Sequence, residues 1–138
     1  MINLIIGKKG TGKTKRLVEH ANQAAQNSNG NVVVIAKGTH LNYDISHDVR
    51  LINIDSYGIQ GLDALSGFIC GICAGNYDVT DIFVDSTMKI IGQDILVLAS
   101  FAEKMNKLSS IADTKITLLV SAEESILPDS IRKIAKIV

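Results

Sequence analysis

The sequence predicts a three-layer α/β domain: a mostly parallel sheet with helices on both faces. Three observations lead there. Short apolar runs, rich in β-branched residues and bounded by turn signals, recur at residues 2–6, 32–36, 81–85 and 115–120. Stretches with helical spacing separate them, the strongest at residues 90–108. No linker or low-complexity tract interrupts the alternation, and 138 residues suit a single domain, 1–138, with its ligand at the carboxyl ends of the strands.

Taken in order, Ile2-Asn3-Leu4-Ile5-Ile6 reads as a buried parallel strand. A glycine-rich octet, residues 7–14, follows, and from Lys13 onward Leu17, Val18, Ala21, Ala24 and Ala25 recur at helical spacing. Asn29-Gly30-Asn31 is a turn before a second buried strand at 32–36. A polar loop carrying Gly38, Asn42, Asp44 and Ser46 leads to residues 49–54, whose partial alternation predicts a strand nearer the sheet edge. A helix is expected over residues 59–75, intrinsically weak because of its glycines. Asn76 and Tyr77 turn into the strand at 81–85, which reads as central. In the helix predicted at 90–108, Ile91, Ile95, Leu98, Phe101 or Ala102, Met105 and Leu108 mark one face. The strand at 115–120 follows, Pro128 breaks the chain, and residues 131–138 form a closing element of open type.

Composition excludes several function classes. Net charge is zero and pI is near 6.8, so no long-range field attracts nucleic acid, and no nucleic-acid partner is expected. The longest apolar region, residues 62–74, contains Asp63 and is too short to span a bilayer. A first strand at the very start leaves no room for a targeting segment, which predicts a cytoplasmic protein. Cys70 and Cys73 form a lone Cys-x-x-Cys with His20, His40 and His47 far upstream, a poor zinc set; two reduced cysteines packed in a helix are expected. His40 and His47 fall in the polar loop and are expected to be exposed.

The octet Gly7-Lys8-Lys9-Gly10-Thr11-Gly12-Lys13-Thr14 is a complete G-x-x-x-x-G-K-[ST] motif, set between a strand and a helix. Its chemistry needs those residue types. Glycines at positions 7, 10 and 12 let backbone N–H groups turn inward as an anion nest, and the helix N-terminus adds its dipole. Lys13 would reach β- and γ-phosphate oxygens, and Thr14 would ligate Mg²⁺. The ligand expected is ATP or GTP with Mg²⁺. An acidic residue on another strand should complete the metal site: Asp85, closing Ile82-Phe83-Val84-Asp85 in the Walker B manner, with Asp55 as the alternative. Catalysis would then rest on Lys13 and Asp85. Ser121, at the end of a strand, either senses the γ-phosphate or is ordinary turn chemistry.

These motifs resemble the RecA-like branch of P-loop NTPases. More narrowly, residues 32–37, 46–48, 51–56 and 77–86 are similar to the nucleotide-binding half of type II thymidine kinases, and the chain also resembles small Firmicutes proteins labelled twitching-motility ATPase-like. The resemblance implies the P-loop NTPase fold and a phosphate site. It does not carry over thymidine kinase activity: Ser86 stands where those kinases place a glutamate base, and their zinc-bound lasso is missing. Lys8 occupies the position of the extra lysine of the MinD/ParA class, which reaches across a dimer, but Lys9 replaces that class's next glycine.

Three functions remain in view. One is nucleotide binding with slow or partner-stimulated hydrolysis, with Glu123 and Glu124 as candidate bases and Arg132 as a residue offered to a neighbouring subunit. Another is a non-hydrolysing switch that binds a regulatory protein. The last is a nucleoside-type kinase whose acceptor site would be the loop at 37–48. Gly67, Gly71 and Gly75 lie four apart, a small-residue ridge suited to packing on the parent sheet or to a homo-oligomer interface.

Overall fold

Strands and helices alternate throughout the computed structural model, which describes residues 1–138. The order is β1 (Ile2–Gly7), α1 (Lys13–Asn27), β2 (Asn31–Ala36), β3 (Val49–Asn53), α2 (Leu62–Gly75), β4 (Val79–Val84), α3 (Thr87–Ile91), α4 (Ile95–Ala112), β5 (Lys115–Ser121), α5 (Asp129–Arg132) and β6 (Ala135–Ile137). All six strands pair in parallel in one sheet, ordered β3-β2-β4-β5-β1-β6. The α/β class is therefore as the sequence predicts.

Side chains alternate across a strand, so each apolar run supplies both faces. On one face Ile5, Val34, Phe83 and Leu119 meet Leu17 and Ala21 of α1, and the loop between β2 and β3 adds Leu41 and Ile45. On the other, Leu4, Ile35, Ile82 and Leu118 meet Leu65 and Ile69 of α2, Ile90 of α3, and Phe101 and Met105 of α4. β3 lies at the edge and β4 in the interior, as their burial patterns imply.

The structure corrects several boundaries. The helix expected at 90–108 is two helices: Gly92 adopts φ 100°, and the Asp94 side chain accepts a hydrogen bond from the Leu96 N–H at 2.9 Å, capping α4. α2 begins at Leu62 rather than 59, because Gly58 and Gly61 take positive φ. The closing element resolves into α5 and β6, with Ala135 beside Ile2. The glycine ridge does not pack on the sheet: a Cβ at Gly67, Gly71 or Gly75 would meet nothing within 4 Å, while α2 buries Leu65, Ser66, Ile69 and Cys73. The two cysteines are free thiols, but only Cys73 is buried, and burial pushes its pKa up; Cys70 is exposed.

Candidate functional site

Strand register assembles the site. Pairing of β1 with β5 sets Gly7 beside Ser121, and pairing of β4 with β5 sets Val84 beside Leu118. Asp85 therefore emerges at the same carboxyl edge, its N–H donating to Ile35 O at 2.8 Å. Between them lies a cleft of about 510 Å³ lined by Lys9, Gly10, Gly12, Lys13, Thr14, Asp85 and Ser121, together with Ser86, Met88, Lys89, Gln93 and Leu119. Sequence reasoning placed the first seven and missed Lys89 and Gln93. Their only local signal was position just past Asp85.

The glycine loop has the conformation its composition requires. Gly10 and Gly12 take φ 82° and 81°, a left-handed geometry that costs an L-residue about 1–2 kcal/mol. A Cβ on Gly7 would lie 2.5 Å from Thr11 Oγ1, so nothing larger fits unless the threonine moves. Gly12 is the N-cap of α1 and brings no side-chain cap, and the first turn carries no acid, which leaves first-turn N–H groups without helical partners and the positive dipole end at the loop. Thr11 Oγ1 donates to Lys8 O at 2.7 Å, bracing the loop from outside the cleft. Lys13 Nζ donates to the same oxygen at 2.7 Å. Lys13 is 6% exposed, and its pKa is lowered, first by burial and then by Arg16, with Asp85 pulling the other way. A largely buried lysine beside the uncapped start of a helix is chemistry suited to an anion.

Asp85 is the buried acid of the site, 1% exposed. Its Oδ2 pairs with His40 Nε2 at 2.7 Å and accepts a hydrogen bond from Ser86 Oγ at 3.2 Å. His40 and His47 are both exposed, as the sequence predicts, but His40 also reaches Asp85, a contact the sequence did not reveal. A readable hint was the apolar pair Leu41 and Ile45 in an otherwise polar loop, since buried pegs hold neighbours still. Ser86 takes φ 61°, a left-handed turn that starts α3 directly after Asp85. The alternative acid, Asp55, pairs with Lys37 at 2.7 Å and does not line the cleft.

Other charged candidates are committed elsewhere. Lys8 Nζ pairs with Glu123 at 2.7 Å, and neither residue lines the cleft; nor does Glu124. Arg16 donates to Ile6 O and Val138 O, and Arg132 to Leu127 O and Glu124 O. Lys89 forms no ion pair. A second cleft, about 580 Å³, lies toward the amino ends of the strands around Asn3, Asp81 and Thr117, beside the carboxyl-terminal half of α1; it contains neither the glycine loop nor Asp85.

No protein-family model matches the chain, and no curated protein is similar enough to match it. No helix is long and apolar enough to cross a membrane.

Proposed function

We propose that the cleft binds a Mg²⁺-nucleoside triphosphate, ATP or GTP, and that the protein hydrolyses it slowly or only when a partner completes the site. The observation carrying this reading is the glycine loop with its left-handed Gly10 and Gly12, together with a largely buried Lys13 in one cleft with Thr14 and Asp85. Thr14 and Asp85 offer hard oxygens, and the chain has no group of three His, Cys, Asp or Glu side chains that could hold a metal alone. That donor set suits Mg²⁺, which keeps several waters and shares phosphate oxygens with its nucleotide. When bound, the ion would offset charge on the β- and γ-oxygens. Lys13 would exchange its bond to Lys8 O for phosphate oxygens, the loop N–H groups would hold the phosphate chain, and Ser121 beside Gly7 would meet its far end.

Slow turnover follows from what surrounds the cleft. Arg16 and Arg132 are bonded to carbonyls, Glu123 is paired with Lys8, and Ser86 supplies no carboxylate. The same facts favour the switch as the second reading, in which binding alone changes the surface offered to a regulatory protein or a second copy. Calorimetry with Mg-ATP and Mg-GTP, followed by single-turnover hydrolysis, tests both. Absence of binding to either nucleotide refutes the reading; binding with no hydrolysis selects the switch.

A further inference from the structure

We infer that His40 is a positioning residue for Asp85: it fixes the carboxylate so that one oxygen serves the bound cation, and thereby ties the loop between β2 and β3 to the metal site. The inference rests on the Mg²⁺-nucleotide reading above.

The His40 side chain is 45% exposed, yet its loop is anchored. Leu41 and Ile45 are buried in the core on the α1 face. Asn22 of α1 donates to Asp44 O at 3.0 Å and accepts from the Ser46 N–H at 2.8 Å. At the other end of the loop, the Gly38 N–H donates to Asn53 Oδ1 at 2.9 Å. The imidazole is thus delivered to Asp85 from a fixed frame.

On the receiving side, Oδ2 carries both the His40 and the Ser86 contacts. Rotation of this nearly buried carboxylate would break both, which leaves Oδ1 as the oxygen available to the cleft. The short bond also brings the loop and the end of β4 together, so anything that moves the loop reorients the acid. Metal sites commonly hold a ligating carboxylate through such a partner, and losing the partner typically weakens metal affinity by about 10–100-fold.

The experiment measures affinity for a fluorescent ATP analogue with Mg²⁺ and with EDTA, for the parent and variants. His40→Ala should lose about tenfold or more of the Mg²⁺-dependent gain while its EDTA affinity matches the parent. His40→Gln, which keeps an N–H near the place of Nε2, should recover most of that gain. Because a loop substitution can loosen the fold, His40→Phe, keeping the ring but not the donor, is a second removal and should behave as His40→Ala. The double variant His40→Ala, Asp85→Asn should be no worse than Asp85→Asn alone, since His40 acts through that carboxylate. The inference is overturned if both removals keep the parent's Mg²⁺ dependence, if they bind Mg²⁺-nucleotide more tightly, or if the two losses add. A parent that binds the analogue neither with Mg²⁺ nor with EDTA overturns the nucleotide reading itself, and this inference with it.

Discussion

Lys13→Met separates two effects of one ammonium, because methionine keeps the apolar stem and removes the charge. In the free protein Lys13 Nζ makes one hydrogen bond, to Lys8 O. In a nucleotide complex it would make two charge-assisted bonds of about 1.5–3 kcal/mol each and give up one of that kind. The net loss on substitution is about 1.5–3 kcal/mol, or about 10- to 150-fold in Kd. Stability should move the other way. The Lys13 pKa is lowered from 10.5, chiefly by burial, so the unfolded chain holds this proton more tightly and the charge opposes folding at neutral pH. That opposition fades as pH rises through the lowered pKa toward 10.5, and the parent gains stability over that window. Lys8 O keeps Thr11 as a donor, so no carbonyl is orphaned. Lys13→Met should therefore melt no lower than the parent at neutral pH, with any advantage shrinking at alkaline pH. Calorimetric titration and thermal melts at the two pH values check this. A variant that binds Mg²⁺-nucleotide as tightly as the parent refutes the site, and one that melts far below the parent at neutral pH refutes the burial argument.

Asp85→Asn should spare nucleotide affinity in EDTA and weaken its Mg²⁺-dependent part, whereas Asp55→Asn should change neither and cost about 1 kcal/mol or less of stability, its partner being the surface residue Lys37; the reverse pattern in a titration would reassign the metal ligand. The isolated protein should turn over ATP well below about 1 per second, at the bottom of the usual enzyme range, because Arg16 and Arg132 are both engaged; a steady-state rate of several per second would contradict this. Gly12→Ala, forced to φ 81°, should lose about 1–2 kcal/mol by chemical denaturation and bind nucleotide more weakly; an unchanged midpoint would mean the loop has another conformation. Phe101→Ala empties a fully buried position under α4 and should cost about 3–5 kcal/mol in urea unfolding, where a loss under about 1 would show that the helix is not packed on the sheet.

Local chemistry made much of this protein legible in its sequence. Runs of Ile, Val and Leu a few residues long specify buried parallel strands, and glycines at positions 10 and 12 specify a loop that only left-handed backbone can close. The same logic separated the interior strand ending at Asp85 from the edge strand before Asp55, because burial on one face or two leaves its mark in the alternation. Gly92 and Asp94 were local signals too, a left-handed stop and a helix cap, and the apolar repeat on either side masked them.

Pairings between distant residues had no such signal. His40 meets Asp85 because β2 lies beside β4, and Gly7 meets Ser121 because β5 inserts between β4 and β1; both follow from sheet order, which no short window of residues encodes. The outward aim of Gly67, Gly71 and Gly75 was likewise decided by which side of α2 carries Leu65 and Ile69. Long cations were the least legible, since Lys8, Arg16 and Arg132 reach whichever acceptor the fold brings within several ångströms. The sequence by itself determined the layers, the loop and the acid at the end of β4, because those depend on backbone conformation and burial period. Tertiary structure alone decided which further charges reach the cleft, as Lys89 does, and which are held away from it, as Lys8, Arg16 and Arg132 are, because that depends on how elements far apart in the chain are brought together.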